Sequence, residues 1–99
     1  MADIMVTVVA RIKAKPEMVQ VVKAELLKLL APTRVERGCI NFDMHQALHD
    51  ESQFLFHENW ESEACLRDHL NAPHIRNWFG KSETLLAEPV DVTLWQKVA

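Results

Sequence analysis

The chain has 99 residues, 48% of them apolar and 25% charged, and a net charge of −3. That describes a single domain, 1–99, with one core, and it excludes nucleic acid as a partner, since no basic cluster or Arg-rich helix is present. No segment approaches the ~20 consecutive apolar residues of a membrane span. Met1-Ala2-Asp3 carries no basic region ahead of an apolar stretch, so a cytoplasmic protein with no secretory leader and no membrane partner is expected.

Ile4 to Ala14 alternates with period two. Ile4, Val6, Val8, Ala10, Ile12 and Ala14 share one face, and Met5, Thr7, Val9, Arg11 and Lys13 the other, which predicts a first strand. Pro16 opens a helix whose apolar stripe is Met18, Val19, Val22, Leu26, Leu29 and Leu30. Pro32 is expected to interrupt it, and Thr33 to Arg37 to add one turn closed by Gly38 as a left-handed cap. Ile40 to Leu48 reads as the second strand, with Ile40, Phe42 and Met44 against Asn41, Asp43 and His45. His49-Asp50-Glu51-Ser52 is its hairpin loop. Gln53 to Trp60 is the third strand, with Phe54, Phe56, Glu58 and Trp60 on one face. A one-residue slip would exchange Met44 and His45; matching apolar faces favours Phe42 and Met44 beside Phe56 and Glu58.

Ser62 has the chemistry of an N-cap, with Glu63 in the first turn and Ala64, Cys65, Leu66, His69 and Leu70 following on the helix. Pro73 restarts a second helical piece, with Ile75, Trp78, Phe79, Leu85 and Leu86 as its apolar positions, and Pro89 ends it. Val90 to Val98 is the last strand: Val90, Val92, Leu94 and Val98 on one face, Asp91, Thr93, Trp95 and Lys97 on the other. The order β-α-β-β-α-β predicts an α+β, ferredoxin-like fold, an antiparallel four-stranded sheet with helices on one face. The second sheet face keeps Met5, Val9 and Trp95, which one helical layer cannot cover, so a homodimer packed sheet on sheet is expected.

The chemistry concentrates between Phe54 and Trp78. Glu58 sits at the centre of an apolar strand face, so it either pairs with a cation, such as Arg34 or a protonated histidine, or carries a raised pKa. His69 follows on the apolar side of a helix and His74 on a Pro-started turn. Phe42, Phe54, Phe56, Trp60, Trp78 and Phe79 serve equally as core or as walls for an aromatic ring. No metal is expected: the histidines and cysteines have no zinc-type spacing, although one register would set His45 against His57. Cys39 and Cys65 form no C-x-x-C pair and read as free thiols. Two glycines exclude a Gly-rich phosphate cradle, and the lack of tyrosine removes the phenol as a proton donor.

Thr33-Arg34-x-Glu36-x-Gly38-Cys39, then Phe42, Phe54-x-Phe56-x-Glu58-x-Trp60, His69 and Pro73-His74 resemble the antibiotic biosynthesis monooxygenase (ABM) domain family over nearly the whole chain. The resemblance implies a dimeric ferredoxin-like α+β barrel. It also implies one of several activities: cofactor-independent oxidation of quinols or polyketide hydroquinones by O2, haem degradation, or isomerase-like chemistry on a phosphorylated sugar. Phe42 and His57 stand where the family often has tyrosine, so a tyrosine relay is not available. The haem-degrading branch fits poorly, because its asparagine, tryptophan and axial histidine fall at Ala10, Trp60 and Phe79.

The expected function is therefore a cofactor-independent monooxygenase acting on a small quinol or polyketide-like aromatic, with O2 as cosubstrate. His69 is the first choice of base and Glu58 the second; Phe42, Phe56, Trp60, His74 and Trp78 contact the substrate, and Asn59 or Arg34 binds a developing oxyanion if either points inward. Two alternatives stand. One is an isomerase or hydrolase of a small carbonyl or sugar-phosphate compound, clamped by Arg34, Arg67 or Arg76. The other is a non-catalytic dimeric binding or stress-response module.

Overall fold

The computed structural model describes residues 4–99, so the Met1-Ala2-Asp3 start, where no secretory leader is expected, lies outside the described residues. β1 (Val6–Lys13) leads through one 3-10 turn, Pro16–Met18, into α1 (Val19–Leu27) and the short α2 (Leu30–Arg34). A hairpin of β2 (Cys39–Gln46) and β3 (Gln53–Trp60) follows, then α3 (Glu63–Leu70), α4 (Pro73–Leu85) and β4 (Asp91–Trp95). The strands lie in the order β2-β3-β1-β4, every neighbouring pair antiparallel. This is the ferredoxin-like α+β arrangement that the element order predicts.

Alternation decides which side chains meet the helices. Val6, Val8, Ala10 and Ile12 of β1 are buried, as are Phe54, Phe56, Glu58 and Trp60 of β3. Val22, Leu26 and Leu29 from the first helical segment and Ile75 and Trp78 from α4 close over the β1 and β3 rows. The hairpin register sets Phe42 opposite Glu58 and Met44 opposite Phe56, the favoured alternative; His57 lies opposite Asp43, not His45.

Several expected details differ. The helical break falls at Lys28–Leu29, ahead of Pro32 and not at it. Pro32 has no N–H for the Lys28 carbonyl and its ring crowds that carbonyl, so the helix yields one turn upstream and Pro32 sits in the first turn of α2. Ile40 does not share the face of Phe42. The register shifts between Cys39 and Asn41, so Cys39 pairs with Trp60 on the helix side while Ile40 is bulged out and exposed. β2 stops at Gln46, leaving Leu48 exposed, and β4 spans only Asp91–Trp95, leaving Val98 exposed. Leu86 leaves α4 in extended conformation and makes a single bridge to Ala14.

Among the described residues no helix covers the opposite face of the sheet. A polar ladder runs across it: Thr7 donates to Asn59, Asn59 donates to Asn41 at 2.7 Å, and Asn41 donates to Asp43 at 3.0 Å and to the His57 carbonyl at 3.1 Å. Met5 and Val9 are half-buried there, and Trp95 is 59% exposed.

Candidate active site

Glu58 is the acid of the site because β3 alternates. It follows Phe56 and precedes Trp60 on the helix-covered face, with Val8 and Phe42 as its cross-strand neighbours. Trp60, on the same face two residues on, donates its indole N–H to Glu58 Oε1 at 2.9 Å. Burial in this apolar setting pushes the Glu58 carboxyl up to about 7; the negative charge of Glu36 adds to the shift, and the Trp60 hydrogen bond opposes it. Glu58 makes no pair with Arg34; a histidine, His69, is the cation-side group within reach, at 3.9 Å, and burial raises the Glu58 pKa beside it.

The imidazole comes from α3. Ser62 caps this helix, its Oγ accepting from the Cys65 N–H at 3.2 Å, and the cap sets the phase that puts His69 on the inner side of the last turn. His69 is 4% exposed. Its ring packs at 4.5 Å from Trp60 and edge-on to Phe42 at 5.5 Å, while Phe42 stacks on Phe56 at 4.5 Å. His69 Nε2 lies 3.9 Å from Glu58 Oε1 and Nδ1 2.7 Å from Glu36 Oε2. Burial lowers the His69 pKa, and the hydrogen bond and charge of Glu36 work against that lowering.

Glu36 is held by a turn. Its N–H bonds the Thr33 carbonyl at 3.0 Å, and its own carbonyl accepts from Cys39 at 3.2 Å. Gly38 closes this turn at φ +80, the predicted left-handed cap, and passes so close to α3 that an added Cβ would lie 2.4 Å from Cys65 Sγ. His74, the second residue of α4, meets the same group: its Nε2 is 3.0 Å from Thr33 Oγ1 and 3.4 Å from Glu36 Oε2.

Between sheet and helices a narrow cleft of about 40 Å³, open to the outside, reaches these groups. Phe42, Phe56, Glu58, His69 and Trp78 line it, with Phe79 toward the outside at 37% exposed. Val8, Ala10 and Ile12 of β1 form its floor. The described lining includes no lysine or arginine. Five of the nine sequence candidates thus share one cavity. Trp60 stands behind Glu58, fully buried and outside the lining, and His74 lies beyond Glu36.

Two candidates point elsewhere. Arg34 donates from Nε to the Phe42 carbonyl at 3.1 Å and reaches the exposed Asp43 at 3.5 Å, and Asn59 belongs to the polar ladder on the far side of the sheet. Neither faces the cleft. The residue the sequence candidates omit is Glu36: its partner His69 is 33 residues away, and nothing local marks the pair.

Glu36, His69 and His74 present ligand atoms within 4.8 Å of one another and could hold a metal ion. Ligands ~2.0–2.1 Å from a tetrahedral ion sit about 3.3 Å apart. The 2.7 Å Glu36–His69 contact is shorter than that and is a hydrogen-bond distance, and no buried side-chain N or O among the described residues lacks a hydrogen-bond partner. Cys39 and Cys65 are free thiols, and burial pushes the Cys39 thiol up, away from the nucleophilic thiolate.

Fold and site together describe a ferredoxin-like α+β protein with an acid and an imidazole in an aromatic cleft. Residues 5–81 match the family model of the antibiotic biosynthesis monooxygenases, and the chain belongs to that family. It is 32% identical over 89 residues to "Putative monooxygenase Rv0793" of Mycobacterium tuberculosis, covering 90% of this chain and 87% of that one. The solved structure of Rv0793 superposes with a TM-score of 0.91 at 29% identity, over 96% of both chains. The crystal structure of PA3566 from Pseudomonas aeruginosa gives a TM-score of 0.93 at 32% identity, over 100% of this chain and 99% of that one. The uncharacterized protein sll1783 of Synechocystis is 30% identical over 95 residues; these cover 96% of this chain but only 65% of that longer protein. A monooxygenase-like activity is thus supported at the level of the family.

Proposed function

We propose that the protein is a cofactor-independent monooxygenase that oxidises a small quinol or polyketide-like aromatic with O2. One observation carries this reading. A buried carboxyl and a buried imidazole, 3.9 Å apart, face a cleft otherwise walled by rings and aliphatic side chains. Walls of this chemistry suit a dihydroxyaromatic ring that widens the narrow cleft as it enters, and its phenolic proton needs a base sheltered from bulk water.

His69 takes the phenolic proton on Nε2, leaving an electron-rich phenolate. The phenolate gives one electron to O2, and recombination of the two radicals forms a carbon–oxygen bond and a peroxide anion. A proton delivered to the outer oxygen, from the His69 imidazolium or from the Glu58 carboxyl, allows the O–O bond to break. One oxygen stays on the ring as the new quinone oxygen as a ring C–H proton is lost, and the other leaves as water. Glu58, raised to about 7, holds a proton at neutral pH often enough to serve as that donor. The protein supplies a base, an acid, orientation and exclusion of water.

The isomerase alternative has less support. A phosphate or carboxylate on the substrate calls for a cation at the cleft, whereas Arg34, Arg67 and Arg76 are all exposed outside the described lining. Two chains pairing through the open sheet face, covering Met5, Val9 and Trp95, complete the proposal; no helix among the described residues is long and apolar enough to cross a membrane. The test is oxygen uptake by purified protein with a panel of benzoquinols, naphthoquinols and anthrones. Consumption of O2 with matching loss of quinol supports the reading, and unchanged quinol in air across the panel defeats it.

A further inference from the structure

We propose that Glu36 is the positioning residue of this site: it binds the Nδ1–H of His69, turns the Nε2 lone pair toward the cleft, and supplies the negative charge that an imidazolium at position 69 needs. The proposal deepens the monooxygenase reading and rests on it for its kinetic consequences, though not for its structural one.

A carboxylate only accepts, so a 2.7 Å contact between Glu36 Oε2 and His69 Nδ1 requires the proton to be on Nδ1. In the neutral ring Nε2 is then unprotonated. That nitrogen is on the Glu58 side, and at 3.9 Å from Glu58 Oε1 it is too far for a hydrogen bond, so its lone pair stays free for a substrate proton. An isolated histidine in water prefers the opposite tautomer, so the geometry selects the minority form and makes it the base.

Glu36 is itself fixed. The carbonyl of the fully buried Thr33 accepts from the Glu36 N–H, the Thr33 hydroxyl bonds His74 Nε2 at 3.0 Å and so keeps that ring 3.4 Å from Glu36 Oε2, and the Gly38 turn carries the backbone. The groups facing His69 are Glu58 from β3, Glu36 from the turn before β2 and His74 from α4. Glu36 is the one bonded to the ring. When His69 takes a phenolic proton on Nε2, the ring becomes a cation that is 4% exposed. A buried cation without a partner is costly, and the adjacent carboxylate offsets that cost in the charged state only. No proton need pass to Glu36: the proton gained on Nε2 returns to the peroxide, and Nδ1–H stays in place throughout. This gives the Thr33-x-x-Glu36-x-Gly38 segment and His74 one common task, holding a single carboxylate against a single ring.

The first test needs no substrate. Two-bond 1H–15N spectra of the wild-type protein report the tautomer of His69 and its titration midpoint. The expected result is the Nδ1–H form, with the midpoint about one pH unit lower in Glu36→Gln, a tenfold loss of proton affinity. An Nε2–H ring in the wild type, or an unmoved midpoint in a folded variant, overturns the proposal. The second test uses whichever quinol the panel identifies. Glu36→Gln is expected to lower kcat about a hundredfold with KM unchanged and to shift the acid limb of the pH profile down, while Glu36→Asp restores part of the rate. Equal rates for the Gln variant and wild type overturn it. A panel without turnover defeats the oxygenase reading and leaves the tautomer result standing as a separate answer.

Discussion

The two faces of the sheet handle the same chemistry in opposite ways. On the open face, His57, Asn59, Asn41 and Thr7 satisfy one another along a ladder beside solvent, with Asn41 and Asn59 each joined to more than one neighbour. On the helix-covered face, Glu58 and His69 are both 4% exposed, and each has one principal partner, Trp60 for the acid and Glu36 for the imidazole. Polar groups on the open face contribute local stability. Polar groups under the helices cost stability, through desolvation, and acquire shifted protonation in return. Adjacent residues of one strand, Glu58 and Asn59, sit on the two sides of that division.

The largest expected effect breaks the covered face. His69→Gln keeps a polar side chain of similar length but removes the proposed base, so quinol turnover should fall ~10²–10⁴-fold, the usual worth of a positioned general base. Initial rates at saturating quinol measure this. A variant retaining more than a tenth of the wild-type rate would transfer the role of base to Glu58.

Glu58 gives the next effect, and its sign is opposite to that of an ordinary paired carboxylate. Its folded pKa, about 7, lies above its ordinary 4.5, so the folded state holds a proton that the unfolded state has lost. The stability it contributes is fully present below pH 4.5 and is lost as pH rises through 7. A rise of roughly 2.5 units at 1.36 kcal/mol each makes the loss about 3 kcal/mol. His69 works in the other direction, because its folded pKa lies below 6.5: its contribution is present above that value and is lost as pH falls. Urea midpoints from pH 4 to 8 for the wild type and Glu58→Gln separate the two. The variant should gain on the wild type as pH rises from 4.5 to 7, and what slope remains in it should have the sign of His69. Parallel curves would mean that Glu58 is solvated.

The Gly38 turn ties the two ends of the covered face together. Gly38→Ala adds a Cβ at φ +80, directly against Cys65 Sγ and Cβ at 2.4 and 2.7 Å, and neither atom is the far end of a long side chain. A loss of about 2–4 kcal/mol in a denaturant titration is expected, from strain and overpacking together. A loss below 1 kcal/mol would show that α3 can move away from this turn, and with it His69 from Glu36.

How much of this division is legible in the sequence depends on how local its cause is. The fate of Glu58 is readable because period-two alternation puts it between Phe56 and Trp60 without reference to anything distant. The phase of His69 is readable from the Ser62 cap and the apolar positions around it. Glu36 is not, since its meeting with His69 depends on how the turn before β2 docks on α3. Ile40 misleads for a related reason: parity counted from Phe42 includes it, and only the bulge, created where the hairpin meets that turn, expels it and installs Cys39. Arg34 and Asn59 fail as cleft residues because residue type suggested an oxyanion partner while direction, which alternation already assigns for Asn59, denied it.

That last point carries the smallest and sharpest effect. Asn59→Ala removes a link between Thr7 and Asn41 on the open face, and these half-buried ends can still reach water, so about 1 kcal/mol of stability should be lost. Turnover should stay within about twofold of wild type, because the side chain is separated from the cleft by the sheet itself. Sedimentation of the same variant reports whether the open face joins two chains, and any change there must be compared at protein concentrations where the assembly is equal. If kcat falls tenfold at equal assembly, then the open face takes part in the chemistry. The division between the two faces, on which His69, Glu58 and Glu36 are assigned, would then be wrong at the residue where the strand separates them most simply.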